Sequence, residues 1–111
     1  MNALDRRYET FEKGLKHTRF NYIKHPEIYA DAFALGLDLN KLDRLIDNPY
    51  ALGEIYIMFI RRYRYFKSVV EKWTGDDIKE TLEQLEALRE KYQTRFSNLL
   101  HSQLKHYCFE D

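Results

Sequence analysis

A few helix-breaking residues divide this chain into segments, and this division constrains the fold more than any other feature. The sequence contains only four glycines and two prolines, so its elements should be long and its loops short. Breaks are predicted at His25-Pro26, Gly36, Asn48-Pro49 and Thr74-Gly75, because proline disfavours helix in the residue before it and glycine commonly ends a helix. No segment shows the alternation typical of strands, so an all-α fold is predicted.

Five helices are expected between these breaks, three long and two short. In the first and last segments, apolar residues recur at spacings of three and four, as on one face of an amphipathic helix. The predicted helices are Ala3–Lys24, Pro26–Leu35, Leu39–Asp47, Tyr50–Trp73 and Ile78–His106. The three long helices are expected to form one antiparallel bundle domain over residues 1–111, with the two short helices connecting the first long helix to the second.

The fourth predicted helix is expected to be the central and most buried element. Its first half, ALGEIYIMFI, is apolar nearly all round, a pattern typical of a helix enclosed by its neighbours. Trp73 ends the same helix, and its indole is expected to be buried as a cap over the core.

The net charge alternates in sign along the chain. It is +3 for residues 1–25, −3 for residues 26–49, +3 for residues 50–75 and −3 for residues 76–111. Helices that follow one another in a bundle are usually neighbours, so opposite charges should lie side by side and disfavour wrong pairings. A nucleic-acid-binding domain normally has an excess of basic residues over a whole face, so strong nucleic-acid binding is not expected from this neutral chain.

The segment 57-IMFIRRYRYFKSVV-70 combines basic and aromatic residues in one helix. On a helical wheel of about 100° per residue, the core side carries Phe59, Phe66, Val70 and Trp73. The opposite side carries Ile57, Arg61, Arg64, Tyr65 and Lys72. Arg62 falls at the edge of the apolar stripe and must find a partner or extend its charged group to solvent.

Two interpretations of this outer side are open. Its cations could form a solvent-exposed face that lies beside the acidic last helix. Alternatively, Ile57, Arg61, Arg64, Tyr65 and Lys72 could bind a protein partner, since arginine beside exposed apolar and aromatic residues is typical of interface anchors. The favoured function is therefore a non-enzymatic interaction module, such as an adaptor, an inhibitor or an immunity-type protein. Its partner is not identified, and it could also form a homodimer.

Residues 32–46, AFALGLDLNKLDRLI, resemble the helix-turn-helix of bacterial and phage repressors. The matching positions are Ala32, Gly36, Leu42 and Leu45. The resemblance implies a DNA-binding regulator whose second helix would contact DNA through Asn40, Lys41 and Arg44. In this sequence Asp31 stands where an apolar residue is usual, and Asp38, Asp43 and Asp47 would repel phosphates.

Residues 95–101, RFSNLLH, resemble the R-x(4–6)-H signature of HEPN-domain ribonucleases, which are small helical bundles. The resemblance implies that Arg95 and His101 would act on the phosphate and 2′-hydroxyl of RNA across a dimer. A HEPN-like nuclease is therefore a third hypothesis for this chain.

No cofactor or metal site is predicted. His101 and His106 are five residues apart, not the four that place two ligands on one helix face. Cys108 is the only cysteine, so a reducing compartment, the cytoplasm, is expected. No run of about eighteen apolar residues occurs, so no membrane span is expected. The first residues lack the apolar core of a signal peptide.

Overall fold

The computed structural model describes residues 2–73, 75 and 77–108, with side chains in these ranges up to residue 98. The α-helices are α1 (Ala3–Lys13), α2 (Phe20–Lys24), α3 (Pro26–Leu35), α4 (Leu39–Leu45), α5 (Leu52–Val70) and α6 (Asp77–Cys108), and 3₁₀ turns cover Leu15–His17 and Pro49–Ala51. The all-helical prediction is confirmed over these residues. None of the described helices combines the length and apolar character needed to cross a membrane.

Local signals in the sequence set the ends of the central helices. The side chain of Asn2 caps α1, and Pro26 occupies the first turn of α3, where its missing N–H costs nothing. Gly36 ends α3 in the left-handed conformation with φ +80°, which glycine adopts without strain. The side chain of Asp38 then accepts a hydrogen bond from the amide of Lys41 and starts α4, as an N-cap residue does.

The prediction of one continuous helix over Ala3–Lys24 is wrong. Helix α1 ends just before Gly14, and Arg19 is extended, with φ −138° and ψ 146°, before the chain enters α2. This break lets Tyr22 of α2 pack on Tyr29 of α3, with ring centroids 4.6 Å apart. Glycine costs only about 1 kcal/mol relative to alanine inside a helix, so packing of this kind decides whether the helix breaks. Consequently α5 and α6 are the long helices of the described chain.

Helices α5 and α6 form an antiparallel hairpin. Phe59 stacks on Tyr92 with ring centroids 4.2 Å apart, and the hydroxyl of Tyr63 donates to the carboxylate of Glu86. Later residues of α5 therefore meet earlier residues of α6. Aromatic pairs of this kind contribute roughly 0.5–1.5 kcal/mol beyond the burial of their area.

Helix α3, rather than α5, is the most buried element, which corrects the prediction for the fourth helix. Seven of the ten residues of α3 are buried, compared with four of the nineteen residues of α5. Contacts with α1, α2, α4 and α5 surround α3, and a helix that is apolar on all sides is stable in such a position. The apolar start of α5 has fewer neighbours, and Ile57 is 48% exposed there.

Candidate functional site

The sequence suggests five residues as a partner-binding surface: Ile57, Arg61, Arg64 and Tyr65 lie on the outer face of α5, and Lys72 follows in the turn after this helix. All five are exposed, including 48% of Ile57 and 57% of Tyr65. The opposite face of α5 supplies its buried residues Ile55, Phe59, Tyr63 and Val70, so the predicted helical phase is confirmed. We call this surface the basic strip; it consists of Ile57, Arg61, Arg64, Tyr65 and Lys72.

The three cations of the basic strip form no ion pair with any carboxylate among the described residues. Helix α5 instead meets α6 through Lys67, whose Nζ is 3.6 Å from the carboxylate of Glu86. A hydrogen bond from Tyr63, followed by one from Arg89, lowers the pKa of Glu86 below its ordinary value. The charges that join the two helices are therefore separate from the basic strip, which faces outward.

A cleft of about 220 Å³ adjoins the basic strip at Tyr65. It lies between α1, the C-terminal end of α3 and the C-terminal half of α5. Its walls combine two guanidinium groups with apolar and aromatic side chains. The lining residues are Arg7, Leu35, Gly36, Arg62, Tyr65, Phe66, Val69 and Trp73; we call this site the arginine cleft.

Trp73 lies at the edge of the arginine cleft and not in the core, which corrects the prediction of a buried indole. Its side chain is 37% exposed, and its ring meets that of Phe66 edge-on, with 6.3 Å between centroids. The reason is that α5 ends at Val70. Trp73 therefore no longer follows the helical phase that would point it into the core.

Arg7 and Arg62 cap the C-terminal end of α3 from two sides. Nε and Nη2 of Arg7 donate to the carbonyl oxygen of Phe33 at 2.9 and 2.7 Å, and Nε of Arg62 donates to that of Leu35 at 3.0 Å. The last carbonyls of a helix have no partner within it and carry partial negative charge. Two cations are therefore favourable there. Arg62 also lies 4.6 Å above the ring of Tyr65.

Gly36 makes room for the guanidinium of Arg62. A Cβ atom at this position would lie 2.7 Å from Nη2 of Arg62, and the φ of +80° already disfavours other residues. Arg62 thus finds the partner that its place at the stripe edge requires, and this partner is a backbone carbonyl. Within the described part of the chain, Nη1 of Arg7 and both Nη atoms of Arg62 have no acceptor, and only the other nitrogens donate to α3.

Arg62→Ala is expected to lower the free energy of unfolding by about 1.5–3 kcal/mol, because it removes a charged hydrogen bond to Leu35 and the packing of the long stem. Arg61→Ala and Arg64→Ala are the matched controls and should each stay within about 0.5 kcal/mol. Urea unfolding followed by circular dichroism measures all three. Destabilisation by the two controls with a silent Arg62→Ala would show that the outward and inward faces of α5 are assigned wrongly.

The helix-turn-helix segment forms as α3, a turn at Gly36 and α4, and the side chains of Asn40, Lys41 and Arg44 are exposed. Asn40 accepts a hydrogen bond at 3.0 Å from Arg19, which directly precedes α2, so Asn40 is engaged within the protein. Helix α4 has only seven residues. The structure thus contains the turn, and Lys41 and Arg44 are the cations that remain exposed on its second helix.

The acidic residue of α4, Asp43, is held by residues of α2 and α3 and by Arg19 just before α2. Asp43 accepts hydrogen bonds from Arg19 at 3.0 Å, Tyr29 at 2.6 Å and Asn21 at 3.4 Å. Burial alone would raise the pKa of Asp43, but these hydrogen bonds outweigh it and lower the pKa. Asp43 is therefore charged at neutral pH, and α4 keeps an acidic group beside the cations that would have to approach DNA.

The two residues of the HEPN-like motif are only partly described. Arg95 is exposed on α6, whereas the side chain of His101 lies outside the described residues.

A buried carboxylate joins three helices. Asp31 of α3 is 5% exposed and accepts hydrogen bonds from Tyr8 at 2.7 Å, from Lys91 at 2.8 Å and from Tyr92. We call these four residues the Asp31 network. Burial, followed by the charge of Asp31, raises the pKa of both tyrosines. Burial would lower the pKa of Lys91, but its hydrogen bonds to Asp31 and Glu27 raise it.

Asp31 and Tyr92 are buried, Tyr8 and Lys91 are partly buried, and the contacts of this network join α1, α3 and α6. Asp31 is also the residue that departs from the helix-turn-helix pattern, in which this position is usually apolar. Its burial among three donors explains this departure, because the position belongs to the interior of the bundle.

Sequence reasoning identifies Tyr65 of the arginine cleft and the need of Arg62 for a partner, but not Arg7 or Val69. Arg7 is separated from Phe33 by twenty-six positions, so its role depends on the pairing of α1 with α3, which the sequence does not specify. Comparisons of the chain with known protein families, with curated proteins and with solved structures give no match.

Proposed function

We propose that this protein is a non-enzymatic interaction module that binds a protein partner through the basic strip. The observation that carries the proposal is the state of Arg61, Arg64 and Lys72, which are exposed and form no ion pair among the described residues. Ile57, one turn before Arg61, and Tyr65, next to Arg64, also remain exposed to solvent. Arginine and tyrosine are enriched among the residues that dominate binding energy at interfaces.

The charge of the strip indicates the character of the partner. A surface of three cations attracts an acidic surface and accelerates encounter, while Ile57 and Tyr65 supply apolar area beside the cations. An adaptor, an inhibitor or an immunity-type protein could each use such a surface. The cytoplasm is the proposed location, and a second copy of the chain is one partner that the test below would detect.

DNA binding is the less favoured function. Asn40 is already engaged by Arg19, and the ionised Asp43 lies on the same short helix as Lys41 and Arg44. Contacts to phosphates need cations whose charge is not offset nearby. For these reasons the exposed cations of α4 are the weaker candidate surface.

The triple variant Arg61→Ala/Arg64→Ala/Tyr65→Ala tests the proposal. Proteins that the wild type captures would be identified and purified, and their affinity would be measured by calorimetry. The triple variant is expected to weaken binding at least about tenfold, equivalent to roughly 1.4 kcal/mol, and to leave folding nearly unchanged. Size-exclusion chromatography with light scattering would report a homodimer that uses the same surface.

A matched control variant changes two exposed cations and one exposed aromatic residue elsewhere. Arg6→Ala/Phe20→Ala/Lys79→Ala meets this description and should bind like the wild type. If the strip variant binds the same partner with unchanged affinity, the basic strip is a solvated face. Submicromolar binding of DNA or RNA that weakens steeply as salt rises would favour α4 instead.

A further inference from the structure

The arginine cleft has the size of a pocket for one side chain. Its volume of about 220 Å³ is below the roughly 300–1,000 Å³ that is usual for pockets that enclose small molecules. Leu35, Phe66 and Val69 form apolar walls, and Trp73 borders the opening. Such a pocket suits an apolar anchor residue that a protein partner inserts.

The charges of the arginine cleft select for an acidic group at the same place. None of its described lining residues is acidic. Arg7 and Arg62 use part of their N–H groups on carbonyls of α3, which fixes their orientation. The remaining N–H groups of two oriented guanidinium planes match the two oxygens of a carboxylate.

We infer that the arginine cleft is the specificity pocket of this interaction module: it receives one apolar side chain of an acidic peptide segment, and Arg7 and Arg62 bind the carboxylate next to it. The inference rests on the proposed function, because Tyr65 belongs both to the cleft and to the basic strip. The basic strip then attracts the acidic segment by its charge, and the arginine cleft binds one residue of that segment selectively. Fixed orientation of the guanidinium groups lowers the entropy lost on binding.

Defined peptides test this inference without knowledge of the natural partner. The probe is acetyl-Asp-Phe-amide, and the controls are acetyl-Asn-Phe-amide and acetyl-Asp-Ala-amide. Nuclear magnetic resonance titration would follow the indole of Trp73, the amide of Gly36 and the Nε–H groups of Arg7 and Arg62. We expect saturable shifts at these groups, with affinity in the millimolar range or better. Each control should bind about tenfold more weakly.

Two variants block the cleft in different ways. Val69→Phe should fill it, and Ile60→Phe introduces the same aromatic side chain on α5 at a residue that does not line the cleft. Trp73→Ala removes a partly exposed wall of the cleft. This variant provides the test if Val69→Phe does not fold. Val69→Phe and Trp73→Ala should each lower the affinity for acetyl-Asp-Phe-amide about tenfold, while Ile60→Phe should bind this peptide like the wild type.

The outcomes separate this inference from the proposed function. Absence of saturable shifts up to about 10 mM, equal binding of the Asp and Asn probes, or shifts centred elsewhere would each overturn the inference. Arg61→Ala/Arg64→Ala should retain binding of the short probe, since neither residue lines the cleft. If this double variant loses the natural partner while no probe binds the cleft, the proposed function stands and the inference fails.

Discussion

Asp31→Ala is expected to lower the free energy of unfolding by about 3–5 kcal/mol, because it removes a buried carboxylate that accepts hydrogen bonds from Tyr8, Lys91 and Tyr92. The hydroxyls of Tyr8 and Tyr92 would lose their acceptor, and each unsatisfied buried group costs roughly 1–3 kcal/mol. Domains are typically stable by about 5–15 kcal/mol. The variant should therefore unfold at a much lower urea concentration, as measured by circular dichroism.

Glu27→Ala is the matched control for this prediction. Glu27 is the other carboxylate that binds Lys91, but it is exposed. Its removal should cost no more than about 1 kcal/mol, as for most surface ion pairs. Equal destabilisation by Asp31→Ala and Glu27→Ala would contradict the assignment of Asp31 as the buried centre of the network.

An apolar replacement of the network provides a sharper test. In Tyr8→Phe/Asp31→Leu/Tyr92→Phe, the carboxylate and both hydroxyls are removed together, so no buried group among them is left unsatisfied. Replacement of a whole polar cluster by apolar groups of similar shape is often nearly neutral. The triple variant should thus be more stable than Asp31→Ala. A triple variant of lower stability would show that the network contributes net stability beyond its own desolvation.

Sequence signals were sufficient where a single residue decides the local conformation. Pro26 and Gly36 predict the bounds of α3, and both lie where expected. The spacing of Phe59 and Val70 predicts which face of α5 is buried, and the structure confirms it. In each case the cause lies within one helix or at its ends, so knowledge of the neighbouring helices is not required.

The remaining features depend on contacts between distant segments. Gly14 can continue or end a helix at similar cost, and packing of α2 on α3 decides in favour of the break. The partner of Arg62 is a carbonyl twenty-seven positions away, and the donors to Asp31 come from α1 and α6. Such pairs require the tertiary arrangement. For the same reason the sequence suggests the basic strip but not the arginine cleft.

The protein is expected to lose stability steeply above about pH 10, because Tyr8 and Tyr92 of the folded state hold their protons more tightly than those of the unfolded chain. Burial and the neighbouring charge of Asp31 raise the pKa of both residues. Above the ordinary tyrosine pKa the unfolded state binds fewer protons than the folded state, so stability falls as pH rises. The slope is about 1.4 kcal/mol per pH unit for each tyrosine.

Two such residues together give a loss of roughly 5–6 kcal/mol by about pH 12, and Tyr29 and Tyr63, whose pKa values burial also raises, add to it. Tyrosinate absorbance and helical circular dichroism recorded in one titration measure the effect: ionisation of Tyr8 and Tyr92 should coincide with unfolding. In Tyr8→Phe/Tyr92→Phe the decline with pH should be shallower, since these two residues no longer contribute, whereas Tyr29, Tyr63 and Lys91 still do. Ionisation of all tyrosines with intact helices would mean that Asp31 does not hold these hydroxyls in the folded protein.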